Sequence, residues 1–339
     1  MSWKHHWSLE EQQLVQQTIH EEKQVELKKE IRILQTGAAP IAAVRKYLPS
    51  GATRPPLLLL HGFAQNRYTW HCSSRSPSAY FAAQGYDVWN IELRGHGRSR
   101  PLGQQGAESF AHYVADIQQV ALALPDSAFW LGHSLGGATL YAAAAKMQPL
   151  KCRGVIGLGA LFHFAEGNPF LYGLCRLTCI LERSLLGNLQ IKTRLGGELL
   201  SQLYSLTDVA GYILPISGWW PGTIEPELVK ERLKKGFDWT SFEVWKEMAR
   251  WAVNKNFPYE QEWSTCNLPL MVILGDEDHL LTPQDGKVAF DTSGSEDKEL
   301  LLLNNYDHET HWGHLDITIG KKAPQYVWKP IDHWMQQRC

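Results

Sequence analysis

Ten residues, Ala128-Phe-Trp-Leu-Gly-His-Ser-Leu-Gly-Gly137, constrain this chain more than any other stretch. Ala128 to Leu131 is a short apolar run that reads as a buried strand. Gly132-His133-Ser134-Leu135-Gly136 follows, and Thr139 to Lys146 is alanine-rich and reads as helix. Joining strand to helix so abruptly demands a sharp, strained turn, with Ser134 at its apex. A side chain at 132 or 136 would collide with the neighbouring strand or helix, so glycine belongs at both. In this context G-x-S-x-G places a serine hydroxyl where it can act as a nucleophile.

The rest of the chain supplies the sheet that such a turn needs. Leu57-Leu58-Leu59-Leu60 is apolar without alternation, as in a central strand covered on both faces. Tyr86 to Leu93, Val155 to Leu158, Leu270 to Leu274 and Leu300 to Leu303 are further strand candidates. Helical stretches at 79–83 and 107–124 alternate with them, which predicts βαβ units and a mostly parallel, doubly wound sheet. Ile31 to Leu34 and Ile41 to Tyr47 read as an antiparallel pair at its edge. Ser8 and Glu11 fit a capping box, so residues 1–30 are expected to form a polar helical arm. From Phe164 to Glu262 no strand-like run appears, and Leu and aromatic residues recur at helical spacing. That predicts a core of residues 31–163 and 263–339, with residues 164–262 inserted as a helical cap.

The chain's 339 residues suit one α/β domain with an insertion. A net charge of −2 with no dense Lys/Arg block excludes a nucleic-acid footprint. No run approaches the roughly 20 apolar residues of a membrane span. The charged N-terminus lacks the apolar core of a signal peptide, so a cytoplasmic protein is expected. The six cysteines are scattered without a C-x-x-C pair and are expected as free thiols.

A serine hydroxyl needs a general base, and the base needs an orienting carboxylate. Both belong in loops at the carboxyl ends of later strands. After Leu274 come Asp276, Glu277 and Asp278, and after Leu303 come His308, His311 and His314. Acid and base candidates therefore follow the serine in the order Ser, Asp, His. H-E-x-x-H spacing is absent from His308 to His311, so no metal is expected.

With these residues placed, the chain from about Ile31 onward resembles the α/β-hydrolase-fold serine hydrolases. The strand end His61-Gly62-Phe63 and the loop Arg94-Gly-His-Gly-Arg-Ser99 match that family's motifs, with Glu92 where relatives often carry Asp. Gly313 to Trp328 is similar to the corresponding segment of acid lipases and of polyhydroxyalkanoate synthases, which use Cys where this chain has Ser134. The resemblance implies an α/β-hydrolase fold, Asp278 as the acid and His314 as the base. It also implies an oxyanion hole built from the amides of Leu135 and Phe63. Dehalogenases and epoxide hydrolases of the family carry Asp at the position of Ser134.

A carboxylic-ester hydrolase of the esterase or lipase type is the expected activity, without a cofactor. Aromatic residues of the cap suggest an apolar acyl pocket, so His133, Trp219, Trp220, Trp245 and Trp251 are expected to bind substrate, a small-molecule or lipid-like ester. An acyltransferase or a peptidase could use the same triad. A non-catalytic binding protein on this fold would be expected to lose triad members.

Overall fold

The computed structural model describes residues 3–35, 39–102, 106–147, 151–181, 190–192 and 218–339. Its N-terminal elements correct the expected helical arm. Among the described residues 3–30 there is no helical arm: strands β1 (Trp7–His20) and β2 (Lys23–Leu34) pair antiparallel from Trp7↔Leu34 to His20↔Lys23. Strand β2 pairs in turn with β3 (Ile41–Tyr47), as expected for the antiparallel edge.

Alternation of strand and helix begins at β4 (Pro56–Leu60), followed by α1 (Pro77–Ala83), β5 (Asp87–Glu92) and α2 (Phe110–Ala123). Next come β6 (Ala128–His133), α3 (Leu135–Lys146) and β7 (Cys152–Leu158). The sheet order is β1-β2-β3-β5-β4-β6-β7, closed at its far side by β10 (Leu270–Gly275) and β11 (Lys298–Leu303). Pairing is parallel from β5 through to that far side.

Burial explains the continuous apolar runs. Leu58 and Leu60 of β4 and Trp130 of β6 pack on one face, with Ile117 of α2 and Leu140 of α3. Leu57, Leu59 and Phe129 pack on the other face, with Phe81 of α1 and the C-terminal Ile331 and Trp334. With both faces covered, a polar side chain in β4 or β6 is costly unless it finds a partner. A glycine on the sheet lets α3 approach closely: a Cβ at Gly157 of β7 would lie 1.9 Å from the hydroxyl oxygen of Tyr141 on α3.

Between β7 and the next core strand lie α4 (Pro169–Leu181), β8 (Gln190–Lys192), α5 (Pro226–Gly236), β9 (Trp239–Ser241), α6 (Phe242–Asn254) and α7 (Glu260–Trp263). Most of 182–217, within the expected cap, lies outside the described residues. Strands β8 and β9 pair with each other, a small departure from the all-helical expectation. The chain then returns to the sheet with β10 (Leu270–Gly275), α8 (Pro283–Thr292), β11 (Lys298–Leu303), α9 (Asp316–Ile319) and α10 (Lys329–Gln336). All six cysteines are free thiols, and no helix among the described residues is long and apolar enough to cross a membrane.

Candidate active site

Ser134 stands between β6 and α3 with φ 57° and ψ −128°, a left-handed conformation that a non-glycine residue adopts only under strain. The surrounding glycines permit it. A Cβ at Gly132 would lie 2.6 Å from the Gly137 nitrogen, and one at Gly136 would lie 2.4 Å from the His61 carbonyl oxygen. The backbone is fixed from the sheet side as well, since Ser134 N donates to Leu158 O (3.0 Å) and Leu161 N donates to Ser134 O (3.2 Å).

Asp278 and His314 meet at the ends of β10 and β11. His314 Nδ1 lies 2.7 Å from Asp278 Oδ2, and both side chains are almost fully buried. Asp278 Oδ1 accepts from the amides of Leu280 (2.9 Å) and Leu281 (2.8 Å), so the carboxylate cannot rotate away. Gly159, at the end of β7 with φ +47°, backs the pair: a Cβ there would lie 3.1 Å from His314 Nδ1 and 3.2 Å from Asp278 Oδ2. Sequence reasoning missed Gly159, although a glycine one residue past a buried strand was its signal.

The rival acid and bases have other partners. Asp276 bonds His311 Nδ1 (2.6 Å) and the Trp312 amide (2.9 Å). His308 Nδ1 accepts from Asn304 N at 3.2 Å. Glu166 pairs with Lys255 Nζ (2.7 Å) and lies near His163. Among the described residues no three His, Cys, Asp or Glu side chains group as a metal site.

Gly62 brings the second loop against the serine, since a Cβ there would lie 2.8 Å from Ser134 Cβ. Phe63 follows it, and its amide and that of Leu135 have no hydrogen-bond partner among the described residues. His61 holds this loop. Its Nε2 accepts from Leu93 N (3.2 Å), so Nδ1 carries the proton and donates to Gly62 O (2.9 Å). Burial first, then His96, pushes the His61 pKa well below that of a free imidazole, which keeps this tautomer neutral. Glu92 braces the neighbouring loops, accepting from Arg67 Nη1 (3.0 Å) and Arg98 N (2.9 Å).

Ser134, His314 and Phe63 line one cavity of about 420 Å³ whose other walls are mainly apolar. Trp219 and Trp245 lie on its wall, with Phe164, Leu174 and Met248. Three residues expected to bind substrate do not line it. His133 is fully buried and donates from Nε2 to His314 O (2.9 Å), so it supports the base from behind. Trp251 is core, edge-on to Phe110 at 4.6 Å between ring centres. Trp220 packs on His311 (4.6 Å) and lines a separate cavity of about 240 Å³.

Two further residues escaped the sequence. Asp316 is fully buried and accepts from the amides of Gly313 (2.6 Å) and Trp220 (2.7 Å). Burial, partly offset by those donors, pushes its pKa up to about 7. Arg232 of α5 is buried beside Gln65, the residue two beyond Phe63.

Comparison with known proteins agrees with this architecture. Residues 55–175 match the family model described as alpha/beta hydrolase fold. Epoxide hydrolase B of Mycobacterium tuberculosis is 33% identical over 132 residues, 39% of this chain and 35% of that protein. Pimeloyl-[acyl-carrier protein] methyl ester esterase of Citrobacter koseri is 38% identical over 81 residues, 24% of this chain and 27% of that one. The matched stretch thus spans about a third or less of these curated relatives. Similarity of structure reaches further along the chain. The monoacylglycerol lipase of Paleococcus ferrophilus superposes with a TM-score of 0.62 at 17% identity, over 88% of this chain and 99% of that one. A soluble variant of monoglyceride lipase from Saccharomyces cerevisiae gives 0.62 at 17% identity, over 92% and 97%. This chain has the α/β-hydrolase fold.

Proposed function

We propose that the protein is a serine hydrolase that cleaves carboxylic esters with a medium or long apolar acyl chain. The observation that carries this is the strained Ser134 on the wall of an apolar cavity that also exposes His314, itself bonded to buried Asp278. Ser134 Oγ attacks the acyl carbon while His314 Nε2 takes its proton, and Asp278 orients the imidazole through Nδ1. The Phe63 and Leu135 amides receive the oxyanion. Collapse of the tetrahedral intermediate expels the alcohol, which takes the proton from His314. Water, activated by the same imidazole, then releases the acid from the acyl-enzyme.

A hydroxyl at position 134 rather than a carboxylate favours ester chemistry over the epoxide opening named for one relative. The names of the other relatives and neighbours, esterases and lipases, support the same choice. Residues 164–262 serve as the cap that shapes the acyl pocket, contributing Phe164, Leu174, Trp245 and Met248 to it.

A fluorophosphonate probe should label the folded protein, and Ser134→Ala should abolish labelling. Folded wild-type protein that stays unlabelled would refute the assignment. Across p-nitrophenyl esters of two to sixteen carbons, kcat/KM should peak well beyond acetate; a maximum at acetate would refute the apolar pocket.

A further inference from the structure

One polar side chain in the cavity has no part in that mechanism. Besides Ser134 and His314, Gln65 is the only described lining residue that brings an amide, hydroxyl or charged group to the wall. It is 6% exposed, so its amide sits in surroundings where an unmet hydrogen bond is costly.

The orientation of that amide follows from its neighbours. Arg232 Nη2 lies 2.8 Å from the oxygen Oε1, and Thr69 Oγ1 donates to the same oxygen at 2.8 Å. A guanidinium has donors and no acceptor, so the atom facing it must be the amide oxygen. Both lone pairs of Oε1 are then occupied, and the Nε2 hydrogens are directed elsewhere. Among the described residues Nε2 has no partner, and it is not sealed off as a buried orphan. Its two donors are left for whatever fills the cavity.

Arg232 is unusual in its own right. It is 1% exposed, its other polar contact is Thr69 Oγ1 (3.0 Å), and Nε and Nη1 have no partner among the described residues. Burial draws its pKa down to about 10, which leaves it cationic at neutral pH. A buried cation facing only neutral oxygens polarises the amide it touches and strengthens the donors at the far end. The loop is clamped as well. Asp238 N donates to Ala64 O (2.9 Å), and Asn66 Nδ2 donates to Lys235 O (2.9 Å). Gln65 is therefore a preset donor on a fixed loop.

We propose that Gln65 is a specificity-determining residue whose Nε2 donates to an oxygen on the substrate's apolar body, separate from the scissile ester. The preferred substrates are then esters of oxygenated acids, bearing a hydroxyl, keto or ether oxygen within reach of this wall, rather than plain fatty esters. The proposal rests on the ester-hydrolase function. A site built to bond a substrate oxygen discriminates against the analogue lacking it, because the protein donor is left unmet.

The test compares p-nitrophenyl octanoate with analogues in which an ether oxygen replaces successive methylenes, in the wild type, Gln65→Met and Gln65→Glu. Methionine fills the space without a donor. Glutamate keeps an oxygen on Arg232 and removes the Nε2 donor, so it carries the comparison where Gln65→Met does not fold. For at least one ether position, kcat/KM relative to octanoate should fall about 3- to 10-fold in either variant, the worth of one hydrogen bond to a neutral acceptor. Unchanged ratios at every position, or equal losses on octanoate and all analogues, would overturn the proposal, the latter marking an oxyanion donor instead. Wild-type protein that neither turns over the esters nor takes the fluorophosphonate would defeat the esterase function and the Gln65 assignment together. Labelling with unchanged ratios would defeat only the assignment.

Discussion

Asp276 and Asp278 sit two residues apart, and in the sequence only the family resemblance separates them, in favour of Asp278. Backbone geometry decides their neighbours. Asp278 turns into the interior to His314, whereas Asp276 points to His311, which is partly exposed. Each carboxylate has its own imidazole, so exchanging their roles would require rebuilding both loops. An Asp278→Asn variant places an amide N–H against His314 Nδ1 and favours the wrong tautomer. Its kcat should fall by about 10⁴ while the fold persists. Asp276→Asn should lower kcat only a few-fold; steady-state kinetics on one ester separates the two, and comparable losses would argue against the assignment. The candidate nucleophile was legible because a strained turn leaves a glycine signature on either side of Ser134. Arg232 was not, because it lies among Lys230, Glu231, Lys234 and Lys235 and reads as one more charge on a solvated helix. Only the packing of α5 against the loop at 65–69 turns that position inward.

At the level of elements, the N-terminal segment and the loop after Trp219 are instructive in opposite ways. The segment 8–29 is rich in Glu, Gln and Lys, which favour helices, yet it forms β1 and β2. A period of two was present at Val25, Leu27, Ile31 and Ile33, and the turn at Glu21 takes φ 51° without the usual Gly or Asn to announce it. Propensity lost to pairing with β3, which no local window contains. The loop after Trp219 is tied to the segment bearing His314 by Asp316. Thr223 Oγ1 contacts both the Trp220 carbonyl and Asp316 Oδ1, but a hydroxyl has one proton to give. If that proton goes to the carbonyl, Asp316 must be protonated to donate to Thr223, which agrees with its pKa pushed up to about 7. A carboxyl raised in the folded state stabilises the fold fully below its unfolded value near 4. That contribution is lost as pH climbs to about 7. Asn at 316 mimics the protonated acid, with Oδ1 for the two amides and Nδ2 for Thr223. Urea unfolding of wild type and Asp316→Asn should therefore show a gap that moves in favour of the variant between pH 4 and 7, by an amount on the order of a few kcal/mol. A gap that does not change with pH would place the charged form in the native state.

Across the whole molecule, the site occupies the carboxyl ends of the parallel strands while the opposite flank of the sheet is extended by the antiparallel β1 and β2. That flank is integrated through tryptophan. Trp7 of β1 is 2% exposed, packs on Trp89 of β5 with ring centres 4.9 Å apart, and donates from Nε1 to Ala123 O at 3.0 Å. Trp3 adds an edge contact to Trp89 at 5.6 Å, and the Arg45 guanidinium, fixed by Asp87, lies over both rings. The hairpin thus closes one end of the core that the α2 face shares with the sheet, and none of its residues lines the cavity in which Ser134 sits. Stability and chemistry should separate accordingly. Trp7→Ala removes a buried indole and leaves the Ala123 carbonyl without its donor, which should cost about 3–5 kcal/mol. Thermal unfolding should shift down by several degrees, while kcat/KM on a p-nitrophenyl ester at a temperature well below the new midpoint stays within about two-fold. A loss of activity in protein that is still fully folded would mean that the hairpin reaches the site through Trp89 and β5. In that case the antiparallel flank is part of the catalytic scaffold and not only of its foundation.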